Sequence, residues 1–519
     1  MNRRPLAANH RTEGDLAMQE LQPKRVLAAI DAFLSTPLDA ALSRHREADP
    51  AERALALFHE VAAAVPAYRR FLAEHGVDPA AIRTPADFAT LPVITKQNYV
   101  LRHPIADLCR GGRVEPCDMI AVSSGSTGKP TFWPRSVTDE LPVARRFEQV
   151  FHDGFRADTR RTLAVVCFAL GSWVGGMYTA ACCRHLAAKG YPITVVTPGN
   201  NKDEIFRVVQ DLGPAFEQVV LLGYPPFLKD VIDTGRARGV DWAPFRIKLV
   251  MAGEVFSEEW RTLVGERVGS TSPCYDSASL YGTADAGVLG NETPLSVAIR
   301  RFLAGRPDAA RALFGQDRLP TLVQYDPAER FFEQRDGMLL FSGDNGVPLV
   351  RYAILDSGGI TSHADMMAAL AGFGFDPRRE LDGERGAREL PFVHVFGRSD
   401  FTVSYFGANI YPENVVVGIE QPGVKEWVTG KFVLEVREGA DRDVVLSVVV
   451  ELAPGEGESE ARREAAARSI EEHLVRLNSE FRSYVPAGKR APRVTLRAAG
   501  DPEYFPLGVK HRYTRKPGG

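Results

Sequence analysis

"TLAVVCFALGSWVGGMYTAACC", residues 162–183, carries no charge, and two folds compete for it. Its length and apolarity suit a membrane-spanning helix. Its interior does not: Gly171, Gly175 and Gly176 surround Trp173, and the β-rich "LAVVCFAL" before them reads as a buried strand that runs through a turn into a helix. The strand–turn–helix reading turns the chain away from the membrane and towards an α/β fold.

The neighbouring stretches repeat that grammar. "DMIAVSS" (118–124), "PITVVTP" (192–198), "QVVLLG" (218–223) and "IKLVMAG" (247–253) are short apolar runs, each followed by a Gly-, Ser- or Pro-rich loop and an amphipathic segment. Such alternation predicts parallel strands with crossover helices, with ligands gathering at the carboxyl ends of the strands. Upstream, the spacing in "ALALFHEVAAAVPAYRRFLAEHG" (54–76) predicts a helical preface over 31–110. Downstream of 397, "KFVLEV" and "DVVLSVVVEL" predict an antiparallel pair, 460–481 a helix, and "PRVTLRA" a third strand. The expected fold is therefore α/β: a large N-terminal domain (31–397) with mostly parallel sheets and crossover helices, and a small mobile α+β C-terminal domain (398–519). Residues 1–30 are expected to be a disordered lead-in.

The chain has 519 residues, 45% apolar and 25% charged, with a net charge of -3. That length calls for more than one core, and that charge gives no basic footprint for nucleic acid. Its six cysteines form no Cys-x-x-Cys pair, which predicts free thiols in a reducing, cytoplasmic setting and no disulfide framework. The N-terminus has no apolar stretch of the signal-peptide kind. A small-molecule partner is expected, and no membrane.

"SSGSTGKPT" (123–131) leaves the carboxyl end of an apolar run. Its glycines let the backbone approach a ligand, its hydroxyls donate, and Lys129 neutralises charge, a combination suited to phosphate oxygens. It is not the Walker pattern, because Ser123 stands where the first glycine belongs and Pro130 follows the lysine.

This loop resembles the phosphate loop of the adenylate-forming superfamily, and further stretches resemble its phenylacetate-CoA ligase branch in the same order. These are "LPVITKQNY" (91–99), "GSWVGGMYTA" (171–180), "VMAGEVFSEEWR" (250–261), "SLYGTADAG" (279–287), "PLVRYAILDSG" (348–358) and "FGRSDFTVSYFGANIYPENV" (396–415). The resemblance implies that ATP and a carboxylic acid, expected to be aromatic, form an acyl-adenylate that is passed to CoA. It places Ser123, Ser124, Gly125, Ser126, Thr127, Gly128 and Lys129 on the phosphates. Tyr281 and Gly282 fall at adenine, Thr283 at the α-phosphate, Glu254 beside adenine and Asp356 on the ribose, with Arg398, in the hinge motif, also counted among the ATP contacts. Asp400 is the hinge, and Lys510 the catalytic lysine, with Lys516 as fallback. Phe168, Trp173, Met177 and Tyr224 would line the acyl pocket.

Three departures stand out. Asp285 replaces the glutamate that helps bind Mg²⁺, Val255 replaces a proline, and "RYAILD" lacks the Arg-Thr-Gly that usually precedes the ribose aspartate. The Cys/His cluster common in phenylacetate-CoA ligases is missing from the sequence after the Tyr-Gly motif, so no zinc is expected. The alternatives are a different acceptor (an amine or a carrier protein), a non-carboxylate acid such as nitrite in the manner of ATP-dependent diazotases, or a nucleotide-binding pseudoenzyme. The family favours homodimers.

Overall fold

The computed structural model describes residues 13–47, 49–123, 131–316, 319–398, 402–505 and 513–515. The strand predicted in 162–183 is β3 (Thr162–Val166), and a helix follows it at Val174–Ala188. Every residue of β3 is buried, as expected of a parallel strand covered on both faces. Glycine in the first turn of that helix has a steric reason: a Cβ on Gly176 would stand 2.3 Å from the Ala169 carbonyl oxygen. No single helix among the described residues is long and apolar enough to cross a membrane.

Four more strands extend β3 into a parallel array: β4 (Ile193–Val196), β5 (Gln218–Gly223), β6 (Lys248–Ala252) and β7 (Ser277–Thr283). Their order is β4-β3-β5-β6-β7, each neighbour parallel. The crossover helices start where side chains can hold their free amides. Asn201 accepts from the Glu204 amide at 3.2 Å, and Ser257 from the Trp260 amide at 3.1 Å.

The sheet then continues antiparallel through β8 (Gly287–Asn291), β9 (Thr321–Gln324), β10 (Phe331–Arg335), β11 (Met338–Gly343), β12 (Leu349–Thr361) and β13 (Phe392–Arg398). The whole is 11-stranded, in the order β10-β11-β12-β13-β9-β8-β7-β6-β5-β3-β4. Two sequence expectations need correction. "DMIAVSS" does not join the parallel array: β1 (Met119–Ser123) forms a separate antiparallel pair with β2 (Thr131–Arg135). Of the lead-in expected to be disordered, residues 1–12 lie outside the described residues, and from Glu13 the chain is helical, within the helix Glu13–Ser35.

Past β13, a short hairpin of β14 (Val403–Tyr405) and β15 (Ala408–Ile410) leads to a separate three-stranded sheet. Its strands are β16 (Val428–Glu438), β17 (Val444–Leu452) and β18 (Arg493–Arg497), with β16 antiparallel and β18 parallel to β17. The helices Pro412–Ile419 and Glu460–Leu477 accompany it, and Ile470 and Leu474 are fully buried. This small sheet and the parallel array share one continuous apolar cluster, joined where Tyr484 packs on Trp173 and Tyr224.

Candidate functional site

Tyr281, Gly282 and Thr283 lie at the carboxyl end of β7, and Glu254 follows the carboxyl end of β6. The "LPVITKQNY" stretch is tied to the middle of β12: the Ile94 amide donates to the Arg351 carbonyl at 3.2 Å, and the Ala353 amide to the Ile94 carbonyl at 2.9 Å. This clamp carries Lys96 to the end of β1, where its ammonium lies 3.3 Å from the Ser123 hydroxyl. The indole N–H of Trp133, on β2, donates to the same hydroxyl at 2.9 Å. Of the loop residues 123–129 predicted on the phosphates, Ser123 is the one described. Ser124, Gly125, Ser126, Thr127, Gly128 and Lys129 lie outside the described residues, as do Asp400, Lys510 and Lys516.

Tyr281 and Asp356, 75 positions apart in the chain, meet directly. The tyrosine hydroxyl donates to Asp356 Oδ2 at 2.8 Å, and both residues are buried. Strand register adds the third predicted member, since Asp356 on β12 stands opposite Arg398 on β13. The altered "RYAILD" contains a left-handed turn of the backbone. Leu355, where the resemblance expects glycine, has φ +68°, a left-handed conformation that costs a leucine about 1 kcal/mol. That kink, with the register shift in the β11–β12 pairing, turns Asp356 towards Tyr281.

Gly282 is required for closeness, because a Cβ there would lie 2.4 Å from the Gly287 carbonyl oxygen. Thr283 Oγ1 accepts from the Ala286 amide at 3.1 Å, which fixes the turn that carries Asp285. Arg135, fully buried on β2, donates to the Ala284 and Asp285 carbonyls at 2.6 and 2.8 Å. The Tyr352 hydroxyl donates to Asp285 Oδ2. A half-buried carboxylate with one oxygen held by a tyrosine suits a hard cation such as Mg²⁺, which usually keeps waters and substrate phosphates as its other ligands.

Glu254, on the loop after β6, is held from two sides. Its loop is anchored from behind by a buried network of Glu258, Arg261, Glu292 and Arg300, in which Arg300 Nη2 donates to the Phe256 carbonyl at 2.8 Å. The Glu254 carboxylate accepts from the Gly407 amide, in the β14–β15 turn, so it is joined to the small-sheet side of the molecule. Burial pushes its pKa up to about 7, against the lowering effect of the bonds from Gly407 and Ser404.

A carboxyl group raised from 4.5 to about 7 binds more protons folded than unfolded between those values. Its stabilising contribution is present below pH 4.5 and is lost as pH rises through about 7. Glu254→Gln keeps an acceptor and removes the ionisation, so relative to wild type it should gain stability between pH 5 and pH 8, by about 2 kcal/mol, seen as a Tm difference that widens by about 2–5 °C. Thermal melts across that range check it; a pH-independent difference between the two proteins would contradict it.

Phe168, Trp173 and Tyr224 do come together. The Phe168 and Tyr224 rings meet edge-on at 4.9 Å, and Tyr484, from the helix Ser479–Tyr484 of the small-sheet side, packs at 5.0 Å on Trp173 and 5.1 Å on Tyr224. Met177 does not join this cluster: it is 46% exposed. Sequence reading missed Lys96, Arg135, Tyr352 and Tyr484. Lys96 had a signal, a lysine inside a stretch already singled out; the others are positioned by long-range packing that no local pattern announces.

No protein-family model matches the chain. Among curated proteins, a phenylacetate-coenzyme A ligase of Thermus thermophilus is 26% identical over 357 residues, covering 68% of this chain and 70% of the relative. A phenylacetate-coenzyme A ligase of Aromatoleum evansii is 23% identical over 420 residues, covering 79% and 83%. Among solved structures, 2-hydroxyisobutyryl-CoA ligase with 2-HIB-AMP and CoA, in the thioesterification state, aligns with a TM-score of 0.62 at 16% identity, over 91% of this chain and 90% of that one. The same ligase in the postadenylation state with R3-HIB-AMP aligns at 0.52 and 15% identity, over 90% and 88%. At such identities these two likenesses concern the fold.

Proposed function

We propose that this chain, which by fold and sequence similarity belongs with the adenylate-forming CoA ligases, activates a carboxylic acid with ATP and transfers the acyl group to CoA. The observation that carries the reading is the Tyr281–Asp356 pair at the carboxyl end of β7. An aromatic face and a buried carboxylate suit an adenosine: the ring stacks on the base, and the carboxylate accepts from two ribose hydroxyls.

In the first half-reaction a carboxylate oxygen of the acid bonds to the α-phosphorus of ATP as the bond to pyrophosphate breaks. Negative charge builds on the phosphoryl oxygens, so fixed donors and cations carry most of the catalysis. Thr283 and Lys510 are assigned to the α-phosphate, and Ser123, Ser124, Gly125, Ser126, Thr127, Gly128 and Lys129 to the leaving pyrophosphate, with Lys96 as a further cation. Asp285 would hold Mg²⁺, which supplies charge neutralisation at the phosphates. In the second half-reaction the CoA thiol loses its proton, sulfur bonds to the acyl carbon, and AMP leaves.

The chain divides functionally into 31–397, which binds ATP and acid, and 398–519, which reorients about Asp400 between the two half-reactions. The arrangement seen here is assigned to the transfer step. Support comes from the higher similarity to the thioesterification-state ligase and from the β14–β15 turn lying over Glu254 and Tyr224. Phe168, Trp173 and Tyr224 are assigned to an acyl pocket for a flat aromatic acid, in a cytoplasmic enzyme. With its acid, the protein should convert ATP to AMP and pyrophosphate, with steady turnover when CoA is added. Production of ADP, or turnover indifferent to every acid, would refute the assignment.

A further inference from the structure

Lys229 is a buried lysine that the reaction above does not use. It sits on the helix Pro225–Ala237 after β5, with its side chain 1% exposed. Its ammonium donates to Asp233 Oδ2 on its own helix at 2.8 Å, and to Asp443 Oδ1 at 2.7 Å. Asp443 closes the turn between β16 and β17, so this bond crosses from the large sheet's helices to the small sheet. Asp441, in the same turn, lies 4.0 Å away.

The charges around this contact are unequal by construction. Asp233 is shared between Lys229 and Arg267, so the large-sheet side presents two cations to one carboxylate. Asp230, on the same helix, is engaged by Lys202 at 3.0 Å and does not redress the balance. The small-sheet turn offers Asp441 and Asp443, while its Arg442 is paired with Glu438 and Lys489 approaches Asp443 only to 3.8 Å. When the turn is docked, Asp443 neutralises the surplus positive charge. When it withdraws, Asp233 still partners the lysine, so undocking leaves no buried charge bare and the contact can be made and broken repeatedly.

We propose that Lys229 is a positioning residue that latches the small sheet, through Asp443, in the orientation used for acyl transfer. The proposal rests on the ligase reading for its timing and on the Lys229–Asp443 geometry for its existence. It assigns the lysine no contact with ATP, acid or CoA.

The test uses the full chain, phenylacetate as probe acid and CoA as acceptor, and reads both half-reactions together with solution small-angle scattering of the substrate-free protein. Lys229→Met should leave ATP–pyrophosphate exchange within about twofold and lower acyl transfer about tenfold or more, with a scattering profile shifted from wild type. Asp443→Asn, a milder change in a partly exposed turn, should do the same, and Lys229→Arg should stay near wild type. Lys229→Glu combined with Asp443→Lys should recover transfer relative to Lys229→Glu alone. Wild-type transfer and scattering in Lys229→Met and Asp443→Asn would overturn the proposal, and so would equal loss of both half-reactions. If phenylacetate supports no exchange in wild type, the scattering arm decides the latch on its own, separately from the ligase reading.

Discussion

Asp356→Ala is expected to lower kcat/KM for ATP about 100-fold while the protein keeps its fold. The carboxylate is buried on β12 and already accepts from the Tyr281 hydroxyl at 2.8 Å. In the proposed complex it also accepts from the ribose, and hydrogen bonds to a charged acceptor are worth about 1.5–3 kcal/mol each. Losing two of them, less what water restores in the vacated space, gives about 3 kcal/mol, which is about 100-fold. The loss should fall mainly in the KM for ATP, because ribose contacts are made equally in ground and transition states. Asp356→Asn keeps the shape and one acceptor oxygen, so it should retain about a tenth of the activity. Steady-state kinetics with ATP varied checks both; an unchanged KM for ATP in Asp356→Ala would remove this residue from the nucleotide site.

Gly407→Ala should separate the two half-reactions. Gly407 has φ +81°, and a Cβ on it would stand 2.2 Å from Tyr224 Cε1, 2.3 Å from Cδ1 and 2.6 Å from Cζ. Real contacts never come so close, and Tyr224 cannot yield easily, being packed against Phe168 and Tyr484. An alanine therefore forces the β14–β15 turn off the large sheet, and with it the amide that Glu254 accepts from. Acyl transfer to CoA should fall by about 100-fold or more, since overpacking and a strained φ together cost about 3 kcal/mol. Adenylate formation, which does not need this docked turn, should stay within about threefold. Rapid-quench measurement of acyl-adenylate and thioester checks the split; parallel losses in both would mean that the substitution disturbs the fold and not the docking.

The parallel half of the sheet was legible because β3, β5 and β6 are short continuous apolar runs punctuated by small-residue loops. The "DMIAVSS" run is similarly apolar, and only its antiparallel pairing with β2 distinguishes it. The antiparallel strands β8–β13 were not read: β9 is short and pairs with the distant β13, and β12 is bent at Leu355. The small sheet was legible down to its third strand, because β16 and β17 follow each other across a tight turn.

At the site, motif order was enough to name Tyr281 and Asp356 but not their mutual hydrogen bond. The contact of Glu254 with Gly407 was out of reach for the same reason. Residues 153 positions apart are joined by a docking of two sheets, and local sequence carries no trace of it. Tyr484 follows suit, since its ring reaches Trp173 and Tyr224 only in the docked arrangement.

The measurement closest to the central claim is ATP–pyrophosphate exchange with Mg²⁺ and no CoA, across benzoic, phenylacetic, cinnamic, amino-aryl and short aliphatic acids, with nitrite included. Exchange that depends on one class of acid, strongest among the aromatic acids and about 100-fold weaker at limiting ATP in Asp356→Ala, is the result predicted here. Absence of exchange with every acid, from a protein whose melting temperature still rises on adding ATP, would contradict it and leave a nucleotide-binding protein that does not form adenylates.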